Sequence, residues 1–311
     1  MAVAFDCGDD TLGSYGTGTV DAVRRFQAER GLNVDGVCGQ QTWSALVEAG
    51  YRLGDRLLYH RTPLLRGDDV HELQQRLGAL GFDAGRVDGF FGPDSASALK
   101  DFQQNVGLTS DGICGPDTLE ALHRLGGASG TGPGPSGANR TEAEVRERDR
   151  LRQARRGLQG QRVVVAEFGG LDALAGALAR SLQDEGAVVA ALHHPDGSVL
   201  AAEANAFVAE VYVGLSLRPG PQCTVSYYAS PGFESVGGRR LAELTTHELV
   251  TAFGADSGAV RGMRLPALRE TRMPAIQLEI GLPRLAVESA AELVDALVRA
   301  VVAWVDSPIE A

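Results

Sequence analysis

The chain has no surplus of positive charge. Its 311 residues carry 29 Lys and Arg against 40 Asp and Glu, a formal net charge of −11. A nucleic-acid partner would need a clustered basic face, and electrostatic docking on an anionic membrane would need the same, so both are disfavoured. Long apolar runs are missing too, and no segment approaches the roughly 18 apolar residues of a transmembrane helix. The opening MAVAFDCGDD has neither a basic stretch nor an apolar run of leader length. Cysteine is scarce and scattered: Cys7, Cys38, Cys114 and Cys223 show no CxxC spacing, which argues against a zinc knuckle or a redox pair. These absences set the expectation of a cytoplasmic chain with reduced thiols. The alternative is an exported chain whose true start lies upstream.

What remains is an ordinary globular composition, 44% hydrophobic and 22% charged, long enough for two or three domains. The first half repeats itself. Phe26–Leu46, FQAERGLNVDGVCGQQTWSAL, and Phe102–Leu122, FQQNVGLTSDGICGPDTLEAL, share Phe-Gln, Gly-Leu, Asp-Gly, Cys-Gly, Thr and Ala-Leu in register. The unit is helical, because Val70, Leu73, Leu77 and Leu80 recur at steps of three and four. Gly31, Gly81 and Gly107 follow as helix stops. Asp35-Gly36, Asp88-Gly89 and Asp111-Gly112 supply turns, and Pro93 and Pro116 suit the first turn of the next helix. Turn geometry alone requires these Asp-Gly pairs, which makes it a better explanation of them than ligand contact.

The run from Gly67, GDDVHELQQRLGALGF, through VDGFFGPDSASALKDFQ to GLTSDGICGPDTLEAL resembles the peptidoglycan-binding type 1 domain, a three-helix module. Residues 65–125 cover it in full. The first copy, within residues 1–50, lacks the opening helix of that pattern, as expected of a misplaced start or a degenerate copy. Residues 126–140, GGASGTGPGPSGANR, read as a flexible linker rather than a dinucleotide loop, since no strand precedes them. Thr141–Arg156 is densely charged, with Thr141 and Glu144 in capping-box spacing, and reads as a solvated helix. Linker and charged helix together span 126–160.

From Arg162 onward strand and helix patterns alternate. Strands are expected at Arg162–Ala166, Ala187–Leu192, Val211–Leu217, Thr224–Ala229 and Ala275–Ile280. Helices are expected at Leu171–Leu182, Val199–Glu210, Arg239–Phe253 and Ser289–Val305. That alternation predicts an α/β domain over 161–306, its central sheet flanked by helices. The expected architecture is therefore multidomain, two small all-α modules followed by an α/β domain.

One strand holds an anomaly. In MPAIQLEIG, Glu279 stands between Leu278 and Ile280, and a buried carboxylate needs a partner or a task. The segment LRETRMPAIQLEIG, within its strand-helix order, resembles the zinc-dependent N-acetylmuramoyl-L-alanine amidase family of the amidase 3 type. The resemblance implies that Glu279 descends from a general base serving a zinc-bound water. It also implies three metal ligands, and none is found. Val165-Ala166-Glu167-Phe168-Gly169-Gly170 has no histidine where the family has one, the loop before the first helix is shortened, and Arg218 replaces the third ligand. A guanidinium cannot ligate zinc. Glu167 is a lone carboxylate. His193 and His194 are adjacent on a strand end and point to opposite faces. His247-Glu248 opens an HExxH-like run that fails at Thr251. No metal is expected. Arg218 either pairs with Glu279, or Glu279 is a solvated remnant.

With Tyr51-Arg52-Leu53-Gly54 and Leu58-Tyr59-His60 between the repeats, the whole chain resembles an actinobacterial branch of amidase homologues. The resemblance implies cytoplasmic regulation of peptidoglycan precursor synthesis together with the pathway's enolpyruvyl transferase. Two alternatives stay open, a secreted zinc amidase and a passive binder of peptidoglycan or its lipid-linked precursor. The chain ends at Ser307-Pro308-Ile309-Glu310-Ala311 without the Thr-bearing tail through which kinase control of such regulators would act.

Overall fold

A computed structural model describes residues 6–8, 10–11, 13–126, 136–218, 220, 222–230, 233–254, 258–281 and 283–309. It divides into two compact units, Met1–Ala143 with Pro231–Phe233, and Glu144–Ser230 with Glu234–Ala311.

The first unit holds helices α1 (Thr17–Glu29), α2 (Gln40–Ala49), α3 (Asp68–Ala79), α4 (Pro93–Asn105) and α5 (Pro116–Gly126). The last three form the complete module. Val70, Leu73 and Leu77 of α3 are fully buried against Leu99 and Phe102 of α4 and Leu122 of α5, as their spacing predicts. Pro93 and Pro116 open α4 and α5, where a missing N–H costs nothing. The first copy supplies α1 and α2, with Ala22, Val23, Phe26 and Leu32 as its buried apolar residues among those described. Arg30 reaches across to Asp68 with two bonds of 2.7 Å, and Arg66 lies 3.3 Å from Glu48.

The Asp-Gly turns share one construction. Gln103 Nε2 donates to Asp111 Oδ1 at 2.8 Å, Ile113 O at 3.0 Å and Thr118 Oγ1 at 3.1 Å, while its Oε1 accepts the Gly112 N–H at 2.8 Å. Gln27 does the same for Asp35, Val37, Thr42 and Gly36, and Gln74 for Asp88, Phe90, Ser95 and Gly89. Gly36, Gly89 and Gly112 have φ of 75°, 81° and 75°, the left-handed region that side chains avoid. These turns are structural knots, each tied by a buried glutamine of the preceding helix.

The second unit takes up α6 (Ser136–Gln153) from Glu144 and continues as β1 (Arg162–Glu167), α7 (Asp172–Asp184), β2 (Val188–His193), α8 (Gly197–Ala206), β3 (Val211–Leu217), β4 (Cys223–Ser230) and, from Glu234, β5 (Phe233–Glu234). It closes with α9 (Val236–Phe253), β6 (Gly258–Met263), α10 (Pro266–Glu270), β7 (Ala275–Ile280), α11 (Pro283–Glu288) and α12 (Ala290–Asp306). The sheet runs β2-β1-β3-β7-β4-β5, with β6 also on β4. Strands β2, β1, β3 and β7 are parallel, and β4 reverses direction against β7. On one face Val163, Val165, Val213, Leu215, Ile276 and Leu278 meet Leu178 and Leu182 of α7, Leu241 of α9, and Leu297 and Val301 of α12. This matches the expected α/β class.

Two expectations need correction. The charged helix is not simply solvated. Leu151 is buried in the second unit's core, and Glu147 accepts from Ser235 Oγ at 2.7 Å and Val236 N at 3.0 Å. The Glu147 carboxylate thus sits at the N-terminus of α9, where the helix dipole and open N–H groups favour an anion. Helix α6 also begins at Ser136, inside the expected linker, so Thr141 does not cap it. The expected linker residues 127–135 lie outside the described residues. Strand β6, with α10 and α11, was not expected from the sequence.

Candidate functional site

The C-terminal edge of the parallel strands gathers the residues singled out in the sequence. In the β3–β7 register Ser216 lies beside Glu279. Arg218 is two residues further along and so projects to the same face. Its Nη1 lies 3.5 Å from Glu279 Oε2. Glu279 is 5% exposed, whereas the Arg218 side chain is 35% exposed. One step below, Gln277 Nε2 donates to Ser216 Oγ at 3.1 Å. Polar residues in this apolar strand are therefore partnered across to β3. Glu279 is a buried member of an ion pair and not a solvated remnant. Just past the strand, position 281 requires glycine because a Cβ there would collide with the Gln222 carbonyl.

Glu167 lies elsewhere. Its register partner is Leu215, one position before Ser216, which directs Glu167 to the opposite face from Glu279. Nor is it a lone carboxylate. Its Oε2 accepts the N–H of Gly169 at 2.7 Å and of Leu171 at 3.2 Å, and its Oε1 meets His193 Nδ1. Nδ1 of His193 is 3.5 Å from Asp172 Oδ1. Glu167, Asp172 and His193 each offer a ligand atom within 4.8 Å of the others. Non-local pairing makes the group: β2 lies beside β1 with Glu167 opposite His193, and Asp172 is the first residue of α7. His194 turns away, its Nδ1 accepting the Asp196 N–H at 3.0 Å.

The ligand set of the amidase 3 zinc does not fit these residues. Phe168 follows β1, lying close to Gly197 and Gly214, and Arg218 is engaged with Glu279. The HExxH-like run serves its own helix. Thr251 Oγ1 donates to the His247 carbonyl at 2.8 Å, and Glu248 accepts from Arg299 at 2.7 Å. Among the described residues, the one three-ligand group is Glu167, Asp172 and His193.

Helical modules knotted at Asp-Gly turns are joined in one chain to a mixed α/β sheet with a buried carboxylate at the C-terminal edge of its parallel strands. The family model "Putative peptidoglycan binding domain" matches residues 3–46 and 66–122. N-acetylmuramoyl-L-alanine amidase CwlM of Mycobacterium tuberculosis is 37% identical over 293 residues, covering 84% of this chain and 70% of that protein. The chain belongs to the family of CwlM-type N-acetylmuramoyl-L-alanine amidase homologues. N-acetylmuramoyl-L-alanine amidase CwlL of Bacillus licheniformis is 37% identical over 133 residues, covering 36% of this chain and 37% of that one. Among solved structures, an N-acetylmuramoyl-L-alanine amidase from Clostridium difficile is similar with a TM-score of 0.41 and 19% identity, covering 48% of this chain and 98% of its own. No helix among the described residues is long and apolar enough to cross a membrane.

Proposed function

We propose that this chain is a catalytically silent member of its family, a cytoplasmic regulator of peptidoglycan precursor synthesis that recognises peptidoglycan fragments or the lipid-linked precursor. The observation that carries this reading is the pair Arg218–Glu279. In the family's role the carboxylate takes a proton from the attacking water and returns it to the leaving amine. Here a permanent cation stands 3.5 Å from that carboxylate, at the position where a metal ligand would be. The peptidoglycan-binding modules supply recognition, and the enolpyruvyl transferase of the pathway is the proposed partner.

The test has two arms. Full-length protein is incubated with purified peptidoglycan, with and without added Zn2+, and new alanine N-termini are counted. None should appear, while the protein itself should sediment with the polymer. Zinc-dependent release of stem peptides would overturn the silent reading in favour of a hydrolase. In the second arm the transferase is assayed with and without this chain. An unchanged rate would reject that partner.

A further inference from the structure

The geometry points to a divalent-cation site at Glu167, Asp172 and His193, built on ligands other than those of the amidase 3 zinc and separate from Glu279. Glu167 is 2% exposed, and its Oε1 faces His193 Nδ1 without hydrogen-bond geometry between them. Its other oxygen is held by two backbone N–H groups, which fixes the carboxylate plane and leaves Oε1 aimed at His193. Metal-binding carboxylates are oriented in this way by outer partners. A buried carboxylate needs a positive partner, and a bound cation would supply one whatever the protonation of His193.

Donors on one tetrahedral ion, each about 2.0–2.2 Å from it, lie about 3.4 Å apart. The 3.5 Å between His193 Nδ1 and Asp172 Oδ1 matches that spacing, whereas Glu167 Oε1 lies closer to His193 Nδ1, so this pair must part to admit the ion. The His193 and Asp172 side chains are 59% and 76% exposed, so the group opens to solvent on the side away from Glu167 and leaves room for water ligands. One imidazole with two carboxylates suits a borderline ion of the Zn2+ class better than the all-oxygen preference of Ca2+ or Mg2+. Because Glu279 lies on the opposite face of the sheet, the ion would organise the β1–α7 turn and serve no hydrolysis.

Calorimetric titration of chelator-treated, tag-free full-length protein with Zn2+ tests this. One ion per chain is expected, together with a rise in melting temperature. His193→Ala and Asp172→Asn should each weaken binding about ten-fold or more, and His194→Ala should not. Both substituted side chains are exposed, so the variants should fold, as their metal-free melting will report. Absence of Zn2+ binding would mean a plain His193–Glu167 ion pair and would overturn the site. So would binding that all three variants retain. Zinc uptake without peptide release leaves the silent reading intact, whereas zinc uptake with release overturns that reading and not the site.

Discussion

Replacing Arg218 by alanine tests the site most directly, because it leaves Glu279 buried without its cation. At 3.5 Å the Coulomb attraction is about 4–5 kcal/mol at an effective dielectric of about 20, and about 1 kcal/mol at that of water. The Arg218 side chain is about one-third exposed, so solvent screening draws the value well below the upper figure. A coupling energy of about 1–3 kcal/mol follows. Arg218→Ala should cost about 2–4 kcal/mol, since a buried carboxylate left alone is penalised beyond the lost attraction. Glu279→Gln should cost less, because the arginine it strands can reach water. The double variant should then be more stable than the sum of the single losses requires. Unfolding of the second unit can be followed in urea through Trp304, which is buried and donates to the Gly237 carbonyl, in a Trp43→Phe background that removes the other tryptophan. Losses that add within about 0.5 kcal/mol would show that the two residues do not meet and would remove the main support for a silent site.

Three further outcomes are expected. Gln103→Ala should destabilise the second module by about 2–4 kcal/mol, because it orphans the Gly112 N–H and Thr118, while Gln104→Ala at an exposed position should be near neutral in the same melt. The Ile113 N–H and then Gln103 hold the Asp111 carboxyl below its ordinary value of 3.8. Its stabilising contribution is therefore complete above 3.8 and lost as pH falls through the lower folded value, so Asp111→Asn should flatten the acid limb of the stability–pH profile. A profile parallel to wild type would contradict this. Burial pushes the Cys114 thiol up to about 12, so in native protein at pH 8 Cys114 should resist alkylation that reaches the partly exposed Cys38, and should react only on unfolding, as read by mass spectrometry.

Much of the fold was legible because its signals are local. The α3 stripe, the Asp-Gly turns and the β/α alternation each appear within a short window, and their elements fall within a few residues of expectation. Strand β6, GAVRGM, was not legible: it carries two glycines, only its Met263 is buried, and it is held by pairing with β4. The docking of α6 uses residues such as Leu151 and Glu147, which do not stand out in a charged run. In the candidate site the same division holds. Arg218 and Glu279 lie at strand ends that the resemblance already marked. Glu167 read as solitary because nothing in the sequence says that β2 lies beside β1, and that neighbour brings His193.

The glutamine knots separate scaffolding from display. Each DGxxG turn is shaped by a side chain from a different helix, so the two residues between the glycines do not have to shape it. The second of them is buried in two of the turns, as Phe91 and Cys114, and half-buried in the third, as Cys38. The first is Val37, Phe90 or Ile113, whose carbonyl serves the knot while Val37 and Ile113 hold their side chains out to solvent. Such a position can exchange one side chain for another without disturbing the loop beneath it. A tandem array built this way can diversify what it touches, copy by copy, on an unaltered backbone.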